Sequence, residues 1–318
     1  MQVLTWIRPG CFPTRTGSSS LSSSSSVASP KTFTPVTATA AASRLLASAG
    51  VTPSSAMEAS GTDSEGREFK NAADMWREEL GEGGDDGVKK TQWYSHGVGY
   101  WQGVEASVDG VLGGYGHVND ADIKCSEPFL KALMAERLSG ADKDRHLVAL
   151  DCGSGIGRVT KNLLIRHFNE VDLLEPVSHF LEAARESLAP ENHTAADNHR
   201  ASNFYCIPLQ EFTPEVGRYD VIWIQWCIGH LADDDFISFF KRAKVGLKPG
   251  GLFVLKENIA RNGFVLDKED RSVTRSDLYF KELFNQCGLH LYKQKVFNTI
   301  QSHVNPSNVI SLGVFLIS

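Results

Sequence analysis

Nothing in the 318 residues approaches the roughly 20 consecutive apolar residues that cross a bilayer, so no spanning helix is expected and no membrane is expected as a partner. Basic runs are also missing. Nothing exceeds pairs such as Lys89-Lys90, and the formal net charge is −6 at pH 7, so the electrostatic footprint of tight sequence-independent nucleic-acid binding is absent. Nucleic acid is therefore not an expected partner. The six cysteines, Cys11, Cys125, Cys152, Cys206, Cys227 and Cys287, form no Cys-x-x-Cys pair. They read as reduced thiols, and no metal site is expected. Residues 1–56 contain no Asp or Glu but carry Arg8, Arg15, Lys31, Arg44 and the serine run Ser18 to Ser26. A segment of that kind cannot bury enough apolar surface to fold. Its composition suits a plastid or mitochondrial transit peptide, or equally a repetitive leader upstream of a start at Met57, where an acidic segment begins abruptly.

What is present starts at Asp151-Cys-Gly-Ser-Gly-Ile-Gly157, directly after the apolar stretch Leu147-Val-Ala-Leu150. This reads as a nucleotide-binding strand, loop and helix start, with glycines that let backbone approach a ligand closely. NAD, FAD and S-adenosylmethionine sites all use such a turn, so the residues downstream of it decide between them. Glu175 closes the next apolar stretch, where a carboxylate meets a ribose diol. Leu247-Lys-Pro-Gly-Gly-Leu-Phe-Val-Leu255 then reads as a helix stop, a turn and a buried strand. An acid opening the glycine loop, an acid on strand two and the Leu-Lys-Pro-Gly-Gly break together resemble the class I S-adenosylmethionine methyltransferases.

The rest of the pattern fits an α/β doubly wound, Rossmann-like sheet with an N-terminal helical lid extension. Strands are predicted near 147–151, 171–175, 203–207, 219–224 and 251–257, helices near 157–168, 177–188, 233–247 and 276–287, and a last hairpin over 290–296 and 309–317. The chain divides into a disordered leader over 1–56, a helix and acidic linker over 57–90 and a methyltransferase domain over 91–318. Phe69, Ala72, Ala73, Trp76 and Leu80 place an apolar stripe on the early helix, which ends at Gly81. Trp, Tyr and Gly crowd the stretch 91–122, as a lid over a pocket requires, although ordinary packing also uses aromatics.

In an open sheet of this kind the ligand lies beyond the carboxyl ends of the strands. Gly153 and Gly155 lie in the loop after strand one, and Arg158 at the helix mouth can pair with a cofactor carboxylate. Leu209 and Gln210 follow strand three, where an apolar side chain and an amide can flank adenine. Both Arg158 and Gln210 can also be read as surface residues. Strand four ends in Gln225-Trp226-Cys-Ile-Gly-His230, and His230 at such a strand end is a candidate proton acceptor, although a lone histidine is often only packed. Asn258 and the acidic run Asp267 to Ser272 follow strand five.

These residues, with Tyr100-Trp101, Val108-Asp-Gly-Val-Leu-Gly-Gly-Tyr-Gly116, Leu209-Gln-Glu-Phe-Thr-Pro214, Tyr219 to Trp226, Gly229-His-Leu231 and Lys256-Glu-Asn258, carry a more specific resemblance. The stretch from about 91 to 290 resembles the eukaryotic protein N-terminal Xaa-Pro-Lys methyltransferases. The resemblance implies S-adenosylmethionine as cofactor and, as partners, protein N-terminal tails whose free α-amine is methylated after the initiator Met is removed. It implies cofactor contacts at Gly153, Gly155, Arg158, Glu175, Pro176, Val177, Leu209, Gln210 and Gln225. It implies general bases at His230 and Asp270, with acceptor contacts at Tyr100, Trp101, Trp226, Asn258, Asp267, Asp270 and Ser272. Many relatives have Asp where this chain has Glu175. The stretch after Val296 departs from the acidic, aromatic C-terminal strand of the family, and residues 1–90 lie outside its core. The alternative readings are a small-molecule or other protein or RNA methyltransferase, and a non-catalytic module that binds cofactor or peptide. Expected placement is the cytoplasm and nucleus, or a plastid or mitochondrion if residues 1–56 are a transit peptide.

Overall fold

The computed structural model describes residues 58–81, 87–138, 145–192, 198–297 and 308–317. The leader expected over 1–56 lies outside them, as does most of the acidic linker. In chain order the elements are β1 (Gly61–Asp63), β2 (Glu68–Phe69), α1 (Ala72–Leu80), α2 (Gly87–Gln102), α3 (Val108–Val111), α4 (Asn119–Leu133), β3 (Val148–Cys152) and α5 (Arg158–Asn162). They continue with β4 (Glu170–Leu174), α6 (Ser178–Ser187), β5 (Arg200–Tyr205), β6 (Tyr219–Gln225), α7 (Asp233–Val245), β7 (Leu247–Ala260), β8 (Phe264–Asp267), β9 (Ser272–Arg275), α8 (Asp277–Gln286), β10 (Leu289–Phe297) and β11 (Asn308–Ile317).

Seven strands form one sheet in the order β10-β11-β7-β6-β3-β4-β5. The pairs β7–β6, β6–β3, β3–β4 and β4–β5 are parallel, while β11 runs antiparallel to both β7 and β10. The chain leaves β3 toward β4 and later returns to β6 on the other side of β3. This reversal opens a crevice at the carboxyl ends of β3 and β6, the place where doubly wound sheets bind ligands. Alternation along the central strands supplies two cores. Leu150, Ile222, Ile224 and Phe253 face a phenylalanine wedge from α7 and α8, whereas Ala149, Val221, Trp223 and Val254 face α4, α5 and α6. Within the wedge Phe236, Phe240 and Phe284 are all buried, with ring centroids 4.8 to 5.3 Å apart. Each such side chain contributes roughly 1.5–3 kcal/mol.

The N-terminal elements are joined to this framework through β8 and the start of α7. Asn71 caps α1 by accepting from the Asp74 amide at 2.8 Å, so the helix starts at Ala72. Phe69, placed on that helix by its spacing, instead sits in β2 with its ring 6.1 Å from Phe264. A second sheet runs β2-β1-β8-β9. The aromatic, glycine-rich stretch is mostly helix, and α2 stays continuous through Gly97 and Gly99. Lys90, Tyr94 and Trp76 reach Asp234, Asp235 and Asp233, the three acids that open α7, at 2.6, 2.5 and 2.9 Å.

The helix predicted over 157–168 is shorter than expected. Leu163, Leu164 and Ile165 are all buried, and three successive residues of an α-helix span more than half its circumference. The chain breaks at Leu163 after α5 and tightens into a 3-10 turn over Leu164–Arg166. The acidic run expected as a loop is the tip of a β-hairpin, with Asp267 paired to Ser272.

Candidate active site

The glycine loop is held from behind by β4. The amides of Gly153 and Ser154 both donate to the Leu174 carbonyl, at 2.8 and 3.1 Å, and Gly153, Gly155 and Gly157 all adopt positive φ. A side chain at Gly153 would collide with Cys227 after β6, so the two strand ends meet here without a Cβ between them. Glu175, just beyond β4, accepts from the Gly155 amide through Oε2 and from the Val177 amide through Oε1, each at 2.9 Å. Burial pushes its carboxyl up to about 7, against those two bonds. The Leu209 and Gln210 carbonyls are gripped by the Arg242 guanidinium at 3.3 and 2.8 Å, which fixes the loop after β5.

One buried carboxylate organises the floor, and the sequence pattern did not single it out. Asp122 of α4 accepts from Arg158 at 2.6 Å and from the Gln225 amide at 2.9 Å, and it pairs with Lys256 of β7, which also donates to Ser126 Oγ at 2.8 Å. Burial alone would raise the Asp122 carboxyl, but Lys256 and Arg158 hold it below the ordinary carboxylate range. Removing one member of such a network strands a buried charge, at roughly 3–5 kcal/mol. The available signal was an acid interrupting the buried face Ile123, Phe129, Leu130 and Leu133, visible only once 119–133 is known to be a helix.

Trp226 closes the same space. It is a non-glycine residue with φ of 54°, an uncommon conformation for a bulky side chain and one that surrounding structure must enforce. Its amide donates to the Lys256 carbonyl at 3.1 Å, and its ring lies 5.6 Å from the Arg158 guanidinium and 5.7 Å from the Lys256 ammonium. The Trp226 indole N–H and the Ser154 hydroxyl are buried without partners in the protein. Such polar atoms, on residues that line the same cleft as Gly153 and Gly155, fit a polar, nucleoside-bearing ligand.

His230, on the wall of the same cleft, is fixed by three contacts. Trp93 donates its indole N–H to the His230 carbonyl at 2.8 Å, Trp101 donates to Nε2 at 3.2 Å, and Nδ1 lies 3.1 Å from the Arg271 carbonyl. A carbonyl can only accept and an indole N–H can only donate, so the imidazole is the neutral tautomer with its proton on Nδ1 and its lone pair on Nε2. Gly97 permits this packing, because a Cβ there would lie 3.1 Å from the Asp270 carbonyl oxygen. Asp270 accepts from Ser272 Oγ at 2.6 Å. Burial pushes its carboxyl up while nearby His230 draws it down, and the net direction is upward.

A single cleft is lined by Gly153, Gly155, Arg158, Glu175, Pro176, Val177, Leu209, Gln210, Gln225, Trp226, Trp101 and His230. Asn258, Asp267, Asp270, Ser272 and Tyr100 stand off its wall. Asn258 Oδ1 is buried and unpartnered, and Asp267 accepts from the Glu269 amide at 2.8 Å. Tyr100 packs edge-on against Trp101 at 5.3 Å. Its hydroxyl is pushed up by burial and then by the charges of Asp270, Glu269 and Asp267.

Glu257, next to Lys256, is buried with Oε2 unpartnered. Burial raises its carboxyl from 4.5 to about 7, against the Asn258 amide and Arg275. The folded state therefore keeps a proton that the unfolded chain releases across that interval. The stability contributed by the neutral form is complete below the unfolded value and is lost as pH rises through the folded one, at about 1.4 kcal/mol per pH unit at most. Glu257→Gln, neutral throughout, is expected to flatten the fall in Tm between about pH 5 and 7. A Tm profile parallel to wild type across that window would refute the assignment.

Comparison with known proteins gives the family. The family described as AdoMet dependent proline di-methyltransferase matches residues 89–312. Alpha N-terminal protein methyltransferase 1 of Arabidopsis thaliana is 70% identical over 240 residues, covering 75% of this chain and 85% of that protein. N-terminal Xaa-Pro-Lys N-methyltransferase 1-B of Xenopus laevis is 42% identical over 200 residues, 63% of this chain and 86% of its own. Among solved structures, a SAM-dependent methyltransferase of Leishmania major superposes with a TM-score of 0.69 at 36% identity, over 82% of this chain and 97% of that one.

Proposed function

The chain belongs to the AdoMet-dependent proline di-methyltransferase family, and from that premise we infer that it methylates the free α-amine of proteins beginning Xaa-Pro-Lys or Xaa-Pro-Arg once the initiator Met is gone. It is an S-adenosylmethionine-dependent enzyme with the class I methyltransferase fold. The observation that carries the acceptor reading is that Trp226 and His230 close the same cleft that the glycine loop and Glu175 line. The acidic hairpin tip is bonded to His230 through the Arg271 carbonyl.

When bound, S-adenosylmethionine supplies an electrophilic methyl group. On the protein side, Glu175 would take the ribose diol, Arg158 the carboxylate, and Leu209 and Gln210 the adenine, with Gly153, Gly155, Pro176, Val177 and Gln225 shaping the walls. An α-amine has a pKa near 8 and is mostly protonated at pH 7, so it must lose a proton before it can attack. His230 Nε2 carries the lone pair for this, and the upward-shifted Asp270 can share the task. Trp101 donates to that same lone pair, so its indole must yield when His230 accepts a proton. The Trp226 face would pack on the second-position proline. Asn258 Oδ1 would hold the first residue's backbone, and Asp267, Asp270 and Ser272 would receive the third-position cation. The remaining contribution is orientation of the amine toward the methyl carbon.

Incubation with labelled cofactor and three peptides tests the reading. An Ala-Pro-Lys peptide should be methylated, its N-acetyl twin should not, and an Ala-Pro-Glu peptide should lose roughly tenfold or more in kcat/KM through like-charge contact at the third subsite. Label on the acetylated twin, or equal turnover of the Lys and Glu peptides, would overturn it.

A further inference from the structure

We propose that Glu79 is a positioning residue for His230, acting through Arg271, and that the segment ahead of the family-matched stretch is thereby a working part of the acceptor side. The proposal rests on the reading of His230 as a proton acceptor.

The family match begins at residue 89, yet the elements before it are bonded to the hairpin that carries Arg271 in its tip. Strand β1 pairs with β8 from Gly61↔Phe264 to Asp63↔Leu266. The Ser64 amide donates to the Leu266 carbonyl at 2.8 Å, and Lys268 at the tip reaches Glu65 at 3.0 Å. The last contact of this series is the one that matters for His230. Glu79, at the end of α1, accepts from Arg271 Nη1 at 2.7 Å.

Arg271 has φ of 57°, a left-handed conformation that a long side chain keeps only when its surroundings over-determine it. Two groups do so. The Glu79 carboxylate holds the guanidinium on one side, and the Trp93 ring lies 5.8 Å from it on another. With the side chain pinned, the Arg271 carbonyl faces His230 Nδ1 at 3.1 Å. That bond keeps the proton on Nδ1 and so keeps the lone pair on Nε2. The Glu79–Arg271 pair is mostly buried, at 15% and 25% exposure for the two side chains. Its consequence is geometric. Neutralising Glu79 releases the guanidinium, lets the Arg271 backbone relax, and turns its carbonyl away from the imidazole.

A double-mutant cycle in the full chain tests this. Glu79→Gln is expected to lower kcat on an Ala-Pro-Lys peptide about tenfold, as loss of orientation does, with KM for S-adenosylmethionine unchanged. The 15N resonances of the His230 ring should move from an Nδ1–H pattern toward a mixture of tautomers. In a His230→Ala background the same substitution should cost nothing more. Wild-type kcat with unchanged resonances in Glu79→Gln overturns the proposal, as does an equal tenfold loss in both backgrounds. Full activity of His230→Ala alone would instead sink the proton-acceptor reading, and the ring resonances would still report whether Glu79 sets the tautomer.

Discussion

Asp270→Asn is expected to lower kcat by about 10²-fold or more, as loss of a general base commonly does, while cofactor affinity stays near wild type. The carboxyl stands off the wall of the cofactor cleft, at the hairpin tip, and is bonded to Ser272 Oγ. Asparagine keeps the shape and an acceptor oxygen for that hydroxyl but cannot take a proton. Burial already places Asp270 above its ordinary value, which moves a carboxylate toward the pKa that suits a base working near neutrality. His230→Ala should behave similarly but less severely, because the two groups lie within electrostatic reach and either can receive the amine proton. Single-turnover rates and cofactor titration on the same preparations separate the outcomes. A loss of cofactor binding in proportion to the loss of rate would show that Asp270 is structural.

That the glycine loop and Glu175 share one cleft was legible because the signals are local. A glycine loop after an apolar strand and an acid ending the next strand each lie within one strand-to-helix connection, and the Leu-Lys-Pro-Gly-Gly break within one helix-to-strand connection, so parallel pairing of two neighbouring strands is enough to bring Gly153, Gly155 and Glu175 together. The rest of the cleft was legible only in part. Trp226 and His230 follow one strand end and reach the cleft together, but the grip on them comes from distant residues. Asp122 lies 103 residues before Gln225 and 134 before Lys256, and its helix has no side-chain cap at its start and runs through Pro128, which propensity reads as a break. Likewise α2 runs through two glycines that propensity would read as breakers, because Gly97 is needed for close approach to the Asp270 carbonyl. Strands β1, β2, β8 and β9 have two to four residues each, too few for period-two alternation to register. Arg271 illustrates the limit most directly, since its working atom is a backbone carbonyl oxygen, and no side-chain pattern marks it.

Gly153→Ala is expected to weaken S-adenosylmethionine binding by about 10²-fold or more. Two costs add at this position. The residue sits at φ of 62°, where a Cβ costs roughly 1–2 kcal/mol. That Cβ would also lie 2.3 Å from Cys227 Cβ and 2.7 Å from its sulfur, and relieving overpacking of this kind costs typically 1–3 kcal/mol. The amides of Gly153 and Ser154 are tied to the Leu174 carbonyl, so the loop cannot retreat without breaking those bonds. The segment after β6 cannot retreat without moving Trp226, the next residue back. Either movement widens the crevice where β3 and β6 end, and the cofactor contacts of the loop and of Gln225 fall out of register. Replacing Cys227 with Gly in the same chain removes the opposing Cβ and should recover part of the affinity, leaving only the φ cost. Calorimetric titration of the single and double variants, with Tm measured alongside, decides it. Wild-type affinity in Gly153→Ala, or no recovery in a double variant that is still folded, would show that the approach of β3 to β6 does not set the shape of the cofactor cleft.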